Sequence, residues 1–145
     1  MLFNNKIFLL VGFFAFNGNL FSSDWESFNM NNSEISSNSI LIVNSMVPSE
    51  VWFGTYDHGI SIFDGENWTQ LNSQNSSLPS DRVKSITKDN NGLIWIGTEN
   101  GLVSYNGINM VVYNSSNSML LSNDIMSLTI DENGELWIGT WGGGI

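Results

Sequence analysis

Three short stretches carry side chains of the kinds that grip a polar ligand: Tyr56-Asp57-His58, Glu99-Asn100 and Trp141-Gly142. Aromatic planes stack on the C–H faces of sugars, while carboxylates and amides pair with hydroxyls. The mixture suits oligosaccharide recognition, against the plainer reading that these are ordinary solvated loops. Acid–base chemistry finds less support. His58 is the only histidine, a general base needs an orienting partner, and Asp57 is merely its sequence neighbour. No serine stands in a nucleophile elbow. Asp89 and Asp131 offer one carboxylate per turn, well short of a calcium ligand set, and capping a β-turn explains them better. No catalytic residue, metal site or cofactor is expected.

The stretches are placed by a repeat. Each follows a copy of one motif: Val51-Trp52-Phe53-Gly54-Thr55, Leu93-Ile94-Trp95-Ile96-Gly97-Thr98 and Leu136-Trp137-Ile138-Gly139-Thr140. Trp52, Trp95 and Trp137 stand 43 and then 42 residues apart. A fixed period of this size marks a repeat architecture. The step shortens in one loop, because Thr55 lies four residues before Gly59 and Thr98 three before Gly101. Each unit reads as four short strands. Ile40 to Val43 and Val51 to Thr55 are followed by Gly59 to Phe63 and Trp68 to Leu71, with Asp64-Gly65 as a type I′ hairpin signal. The second unit gives Val83 to Thr87, Leu93 to Thr98, Leu102 to Tyr105 and Met110 to Tyr113. The third gives Ile125 to Ile130 and Glu135 to Thr140. No stretch has a helical period.

Four antiparallel strands every 42 or so residues are the pattern of a β-propeller blade. The expected fold is all-β: blade 1 over about 40–71, blade 2 over about 83–113 and a partial blade 3 over about 125–145, some two and a half blades. Gly54, Gly97 and Gly139 would permit close approach of a neighbouring blade, and Trp52, Trp95 and Trp137 would fill the space between blades. Strand order puts the three candidate stretches on one face, with loops 72–80 and 114–123. These loops vary between copies while the strands do not, as expected where a scaffold carries recognition on loops.

Composition narrows the partners. The chain has 145 residues, no cysteine and a formal charge of −10. This excludes a basic face for nucleic acid or anionic membranes. Lys6, the apolar run Ile7 to Phe16, and Ser22-Ser23 read as a signal peptide over 1–23. Ten apolar residues are too few to span a bilayer, which takes about 20. Export to the periplasm or cell surface is expected, with a core that takes nothing from disulfides.

Leu78 to Gly107, running Leu-Pro, then Val83 and Ile86, Asp89-Asn90-Asn91-Gly92, Trp95-Ile96-Gly97-Thr98 and Gly101-Leu102, resembles the two-component regulator propeller repeat. The third unit fits as well; the first lacks Asp-x-x-Gly and has Phe53 for Ile. The resemblance implies an extracytoplasmic, non-catalytic sensor region of a hybrid signalling protein, with oligosaccharide as ligand and a homodimer as its assembly. The membrane helix and kinase of such proteins are not in this sequence. A structural or adhesion module of the cell surface or secretion machinery is the alternative, and a propeller lyase or hydrolase a third. Propellers of this family have about seven blades, so the sequence reads as a fragment, the alternative being a short chain that assembles its ring from several copies. Residues 24–28 would then be the outer strand of a missing last blade.

Overall fold

The computed structural model describes residues 7–8, 25–47 and 50–145. Apart from Ile7 and Phe8, the leader expected over 1–23 lies outside them. Two compact units are present, one ending at Ile35 and the other running from Ser36 to Ile145. In the first, β1 (Ile7–Phe8) pairs in parallel with β2 (Trp25–Glu26), Ile7 opposite Trp25. Of the segment expected as an outer strand at 24–28, Trp25–Glu26 forms this pair.

The second unit is built from antiparallel sheets, and no helix occurs among the described residues. Blade 1 orders β3 (Ile40–Val47), β4 (Glu50–Thr55), β5 (Ile60–Phe63) and β6 (Trp68–Leu71). Blade 2 orders β7 (Val83–Lys88), β8 (Ile94–Thr98), β9 (Gly101–Tyr105) and β10 (Met110–Tyr113). Blade 3 contributes β11 (Ile125–Ile130) and β12 (Leu136–Thr140). Within each blade sequential strands pair, which gives the up-and-down blades of a partial propeller.

Strand β7 packs against β3 on one side and β11 on the other, so the first strands of the blades form the inner row. Side chains tie this row across the blades: Asn44 Nδ2 donates to Ile86 O at 2.9 Å, and Ser85 Oγ accepts from Leu128 N at 2.9 Å. The core lies between blades 1 and 2. Trp52, Ile60, Leu78, Val83, Ile86 and Ile96 are buried there, with Tyr105 and Met110 packed against them. The Tyr105 ring sits 6.0 Å from that of Trp52. The glycine of each motif copy has a specific neighbour. A Cβ on Gly54 would stand 2.8 Å from Val83 Cγ1 and 2.4 Å from Ile42 Cγ2. One on Gly97 would stand 2.7 Å from Ile125 Cγ2. Both glycines therefore sit where the next inner strand crosses, closer than any side chain allows.

Two local features differ from the sequence reading. The β5–β6 loop runs 64–67 rather than as a two-residue type I′ turn, because Asp64 Oδ1 accepts the N–H groups of both Glu66 and Asn67. Asn106 does the same for Ile108 and Asn109 between β9 and β10. Each inner strand also carries a β-bulge at its start, between Ile40 and Ile42, Val83 and Ser85, and Ile125 and Ser127. A bulge re-aims the extra side chain, here Leu41, Lys84 and Met126.

Candidate functional site

The pairing of Ile40 with Thr55, Val83 with Thr98 and Ile125 with Thr140 puts the start of each inner strand beside the loop that leaves the motif threonine. That loop is closed by the threonine itself. Thr55 Oγ1 donates to Gly59 O, Thr98 Oγ1 to Gly101 O and Thr140 Oγ1 to Gly144 O, all at 2.8–2.9 Å. The same bond thus spans loops that differ by one residue. The first loop residue is anchored by its backbone to the residue before the inner strand: Tyr56 N to Ser39 O, Glu99 N to Arg82 O and Trp141 N to Asp124 O. Tyr56, Glu99 and Trp141 are therefore equivalent positions on three repeats.

Of the six candidate residues, Tyr56 and Glu99 are brought together, through a residue that loop reasoning missed. The Arg82 guanidinium lies over the Tyr56 ring, 3.9 Å from its centroid, and Arg82 Nη1 donates to Glu99 Oε1 at 2.7 Å. Cation–π stacking of this kind joins blades 1 and 2 at this face. Asp57 and His58 form a second group: His58 Nδ1 lies 2.8 Å from Asp57 Oδ1, which also accepts from Ser37 Oγ at 2.9 Å. Hydrogen bonds from His58, and then from Ser37, hold the Asp57 carboxyl below its ordinary pKa. The carboxylate stands between hydroxyl and imidazole, so the histidine takes no proton from Ser37 and no nucleophile is generated. Asn100 uses its N–H on Thr98 Oγ1. Trp141 stands at the third repeat, 70% exposed. Beside it, Lys84 Nζ reaches from the β7 bulge to Asp124 Oδ1 at 2.5 Å and to Met126 Sδ at 3.5 Å. Arg82, Lys84 and Asp124 were legible in principle, since strand order brings the entry to each inner strand to the same face as the loops.

Loops 72–80 and 114–123 are less free than their composition implies. An Asn-x-x-Asn-Ser sequence recurs at 29–33, 72–76 and 114–118, on the period of the strands. Asn75 Oδ1 accepts from Asn72 N, its Nδ2 donates to Gln70 O, and Ser76 Oγ donates to Asn72 O. Asn117 and Ser118 repeat each bond with Asn114 and Val112. So do Asn32 and Ser33 with Asn29 and Ser27. These side chains are spent on the loop itself.

Asp89 and Asp131 are likewise committed. Asp89 Oδ1 accepts from the N–H groups of Asn91 and Leu93, and its Oδ2 from Trp95 Nε1 at 3.3 Å. Asp131 serves Asn133, Glu135 and Trp137 in the same way. No group of three metal-ligating side chains occurs among the described residues. An apolar cleft of about 380 Å³ lies between Trp95, Leu102, Tyr113, Met119, Leu136 and Ile138. Its counterpart between blades 1 and 2 is the core that Tyr105 fills, so the cleft belongs to blade packing and not to the loop face.

The repeat geometry has a family counterpart. Residues 77–100 and 119–142 match the model described as two component regulator propeller. These are two-component regulator propeller repeats. Among solved structures, the propeller is similar to the extracellular domain of a hybrid two component system from B. thetaiotaomicron. The TM-score is 0.65 at 24% identity, over 78% of this chain and 17% of that one. A second such domain from the same organism gives 0.60 and 19% over 70% and 13%. PorZ, a surface component of the type-IX secretion system of Porphyromonas gingivalis, gives 0.59 and 24% over 79% and 18%. This propeller chain thus spans less than a fifth of the length of the solved structures it matches. No curated protein matches it.

Proposed function

We propose that this chain is part of an extracytoplasmic propeller that senses an oligosaccharide for a two-component signalling protein. The observation that carries the reading is the Tyr56–Arg82–Glu99 cluster, which joins two blades at the loop face. A ligand that touches Tyr56 and Glu99 bears on both blades at once, and on Trp141 at the equivalent position of the third. Binding that favours one blade arrangement over another shifts the population of states, and no chemical step is needed. The likeness to extracellular domains of two-component systems supports both the export and the signalling role. Folds host many functions and the site decides among them, so the test addresses the site. Calorimetric titration with cellotetraose, xylotetraose and maltotetraose should show binding to at least one, lost or weakened in Tyr56→Ala and Trp141→Ala. Heat of binding to none of a broad oligosaccharide panel would remove the reading.

The likeness to PorZ favours a second reading, a structural module of a cell-surface or secretion assembly. That reading expects no sugar binding, and co-purification of the protein with an outer-surface complex.

A further inference from the structure

All three Lys and Arg residues among the described residues lie on or just before β7: Arg82, Lys84 and Lys88. Each is already engaged. Lys88 Nζ donates to Met46 O, Lys84 to Asp124, and Arg82 to Glu99 while stacked on Tyr56. The face that would meet a ligand also exposes the carboxylates of Asp57 and Glu99. Among the described residues, an incoming anion finds no free Lys or Arg on that face, and it meets a field of its own sign.

The Arg82 arrangement is more particular than an ordinary surface pair. A guanidinium presents a planar fork that suits two oxygens of one carboxylate or sulfate. Here Glu99 takes Nη1 alone, and Arg82 Nε is buried with no hydrogen-bond partner. The ring of Tyr56 holds the plane in position. A receptor for an anion is thus assembled and then occupied by a residue of the same chain, which pays no association entropy and so outcompetes a weakly held ligand.

We propose that Glu99 is a specificity-determining residue: by occupying the Arg82 guanidinium it excludes carboxylated and sulfated glycans and reserves the loop face for uncharged sugars. The proposal rests on the reading of that face as a glycan site, and the experiment separates the two. Wild type, Glu99→Gln and Glu99→Ala are titrated with tetragalacturonate and with the neutral tetrasaccharide that binds best, at low and high salt. Thermal unfolding checks that each variant is folded. In wild type, tetragalacturonate should bind at least about tenfold more weakly than the neutral sugar. Both variants should gain about tenfold for tetragalacturonate, in a salt-sensitive way, so that the preference for the neutral sugar over tetragalacturonate shrinks or reverses in each. Gain of tetragalacturonate binding in the variants, with no sugar bound by wild type, would uphold the role of Glu99 and sink the sensing of neutral sugars. Equal binding of both sugars by wild type, an unchanged preference in both variants, or no binding by any of the three proteins would overturn the proposal.

Discussion

An indole bonded to a carboxylate recurs in every repeat: Trp95 to Asp89, Trp137 to Asp131, and Trp52 to Glu50 at 3.1 Å. In the second and third repeats the same carboxylate ties down the turn before the strand, so one residue shapes the turn and orients the tryptophan. The first repeat lacks the Asp-x-x-Gly sequence, yet Glu50 supplies the bond from within the strand. The sequence shows the loss of the turn motif but not its replacement, because Glu50 lies at a different offset from its tryptophan. A pH dependence follows. The bond from Trp137, then the N–H of Glu135, hold Asp131 below its ordinary pKa, and backbone N–H groups of Asn67 and Glu66 do the same for Asp64. A carboxyl with a depressed folded pKa contributes stability above its unfolded value of about 4, and that contribution is lost as pH falls through the folded value. The thermal midpoint should therefore be flat from about pH 7 to 5 and fall below about pH 4. Asp131→Asn should lower the midpoint at neutral pH and make the acid decline shallower.

At the scale of the element, strands were the more legible part and loops the less. Alternation and the 42- or 43-residue period locate the strands, since burial on a sheet face imposes both. The Asn- and Ser-rich connections read as variable surface, although Asn-x-x-Asn-Ser recurs in them on that same period. Composition hid the motif because its residues are also the commonest loop residues. The bulges at Leu41, Lys84 and Met126 have no sequence mark at all: an extra residue in a ladder shows only when both strands are paired. Arg82 differs: strand order already puts its position on the loop face, and only its contact with Tyr56 on another blade needed the packed structure. The loop reading makes a contrast. Asn75→Ala removes bonds to Asn72 N and Gln70 O and should cost about 1–2 kcal/mol. Gln74→Ala, one residue away with an exposed side chain, should stay within about 0.5 kcal/mol. Equal effects in urea unfolding would mean that the loop is held by its backbone alone.

For the whole molecule, the cations of β7 act as ties in both directions, Lys88 to blade 1 and Lys84 to blade 3. The Lys84 and Asp124 side chains are 15% and 26% exposed, so water screens the pair only partly. Lys84→Met leaves the Asp124 carboxylate unpaired and should destabilise by about 1–3 kcal/mol. Pairing it with Asp124→Asn should recover much of that loss, and additive losses in the double variant would show that the two side chains do not couple.

The ties between inner strands have one more property: Asn44 to Ile86, Met46 to Lys88, Ser85 to Leu128 and Lys84 to Met126 all join residues 42 or 43 apart. These ties sew each blade to its sequence neighbour. The entropy lost on closing a loop depends on its length, and here that length does not grow as blades are added. A newly made blade can dock as soon as one further repeat has left the ribosome or translocon, while the chain behind it is still being made. Folding then advances like a zip, and its rate should depend on the repeat and hardly on how many repeats have gone before.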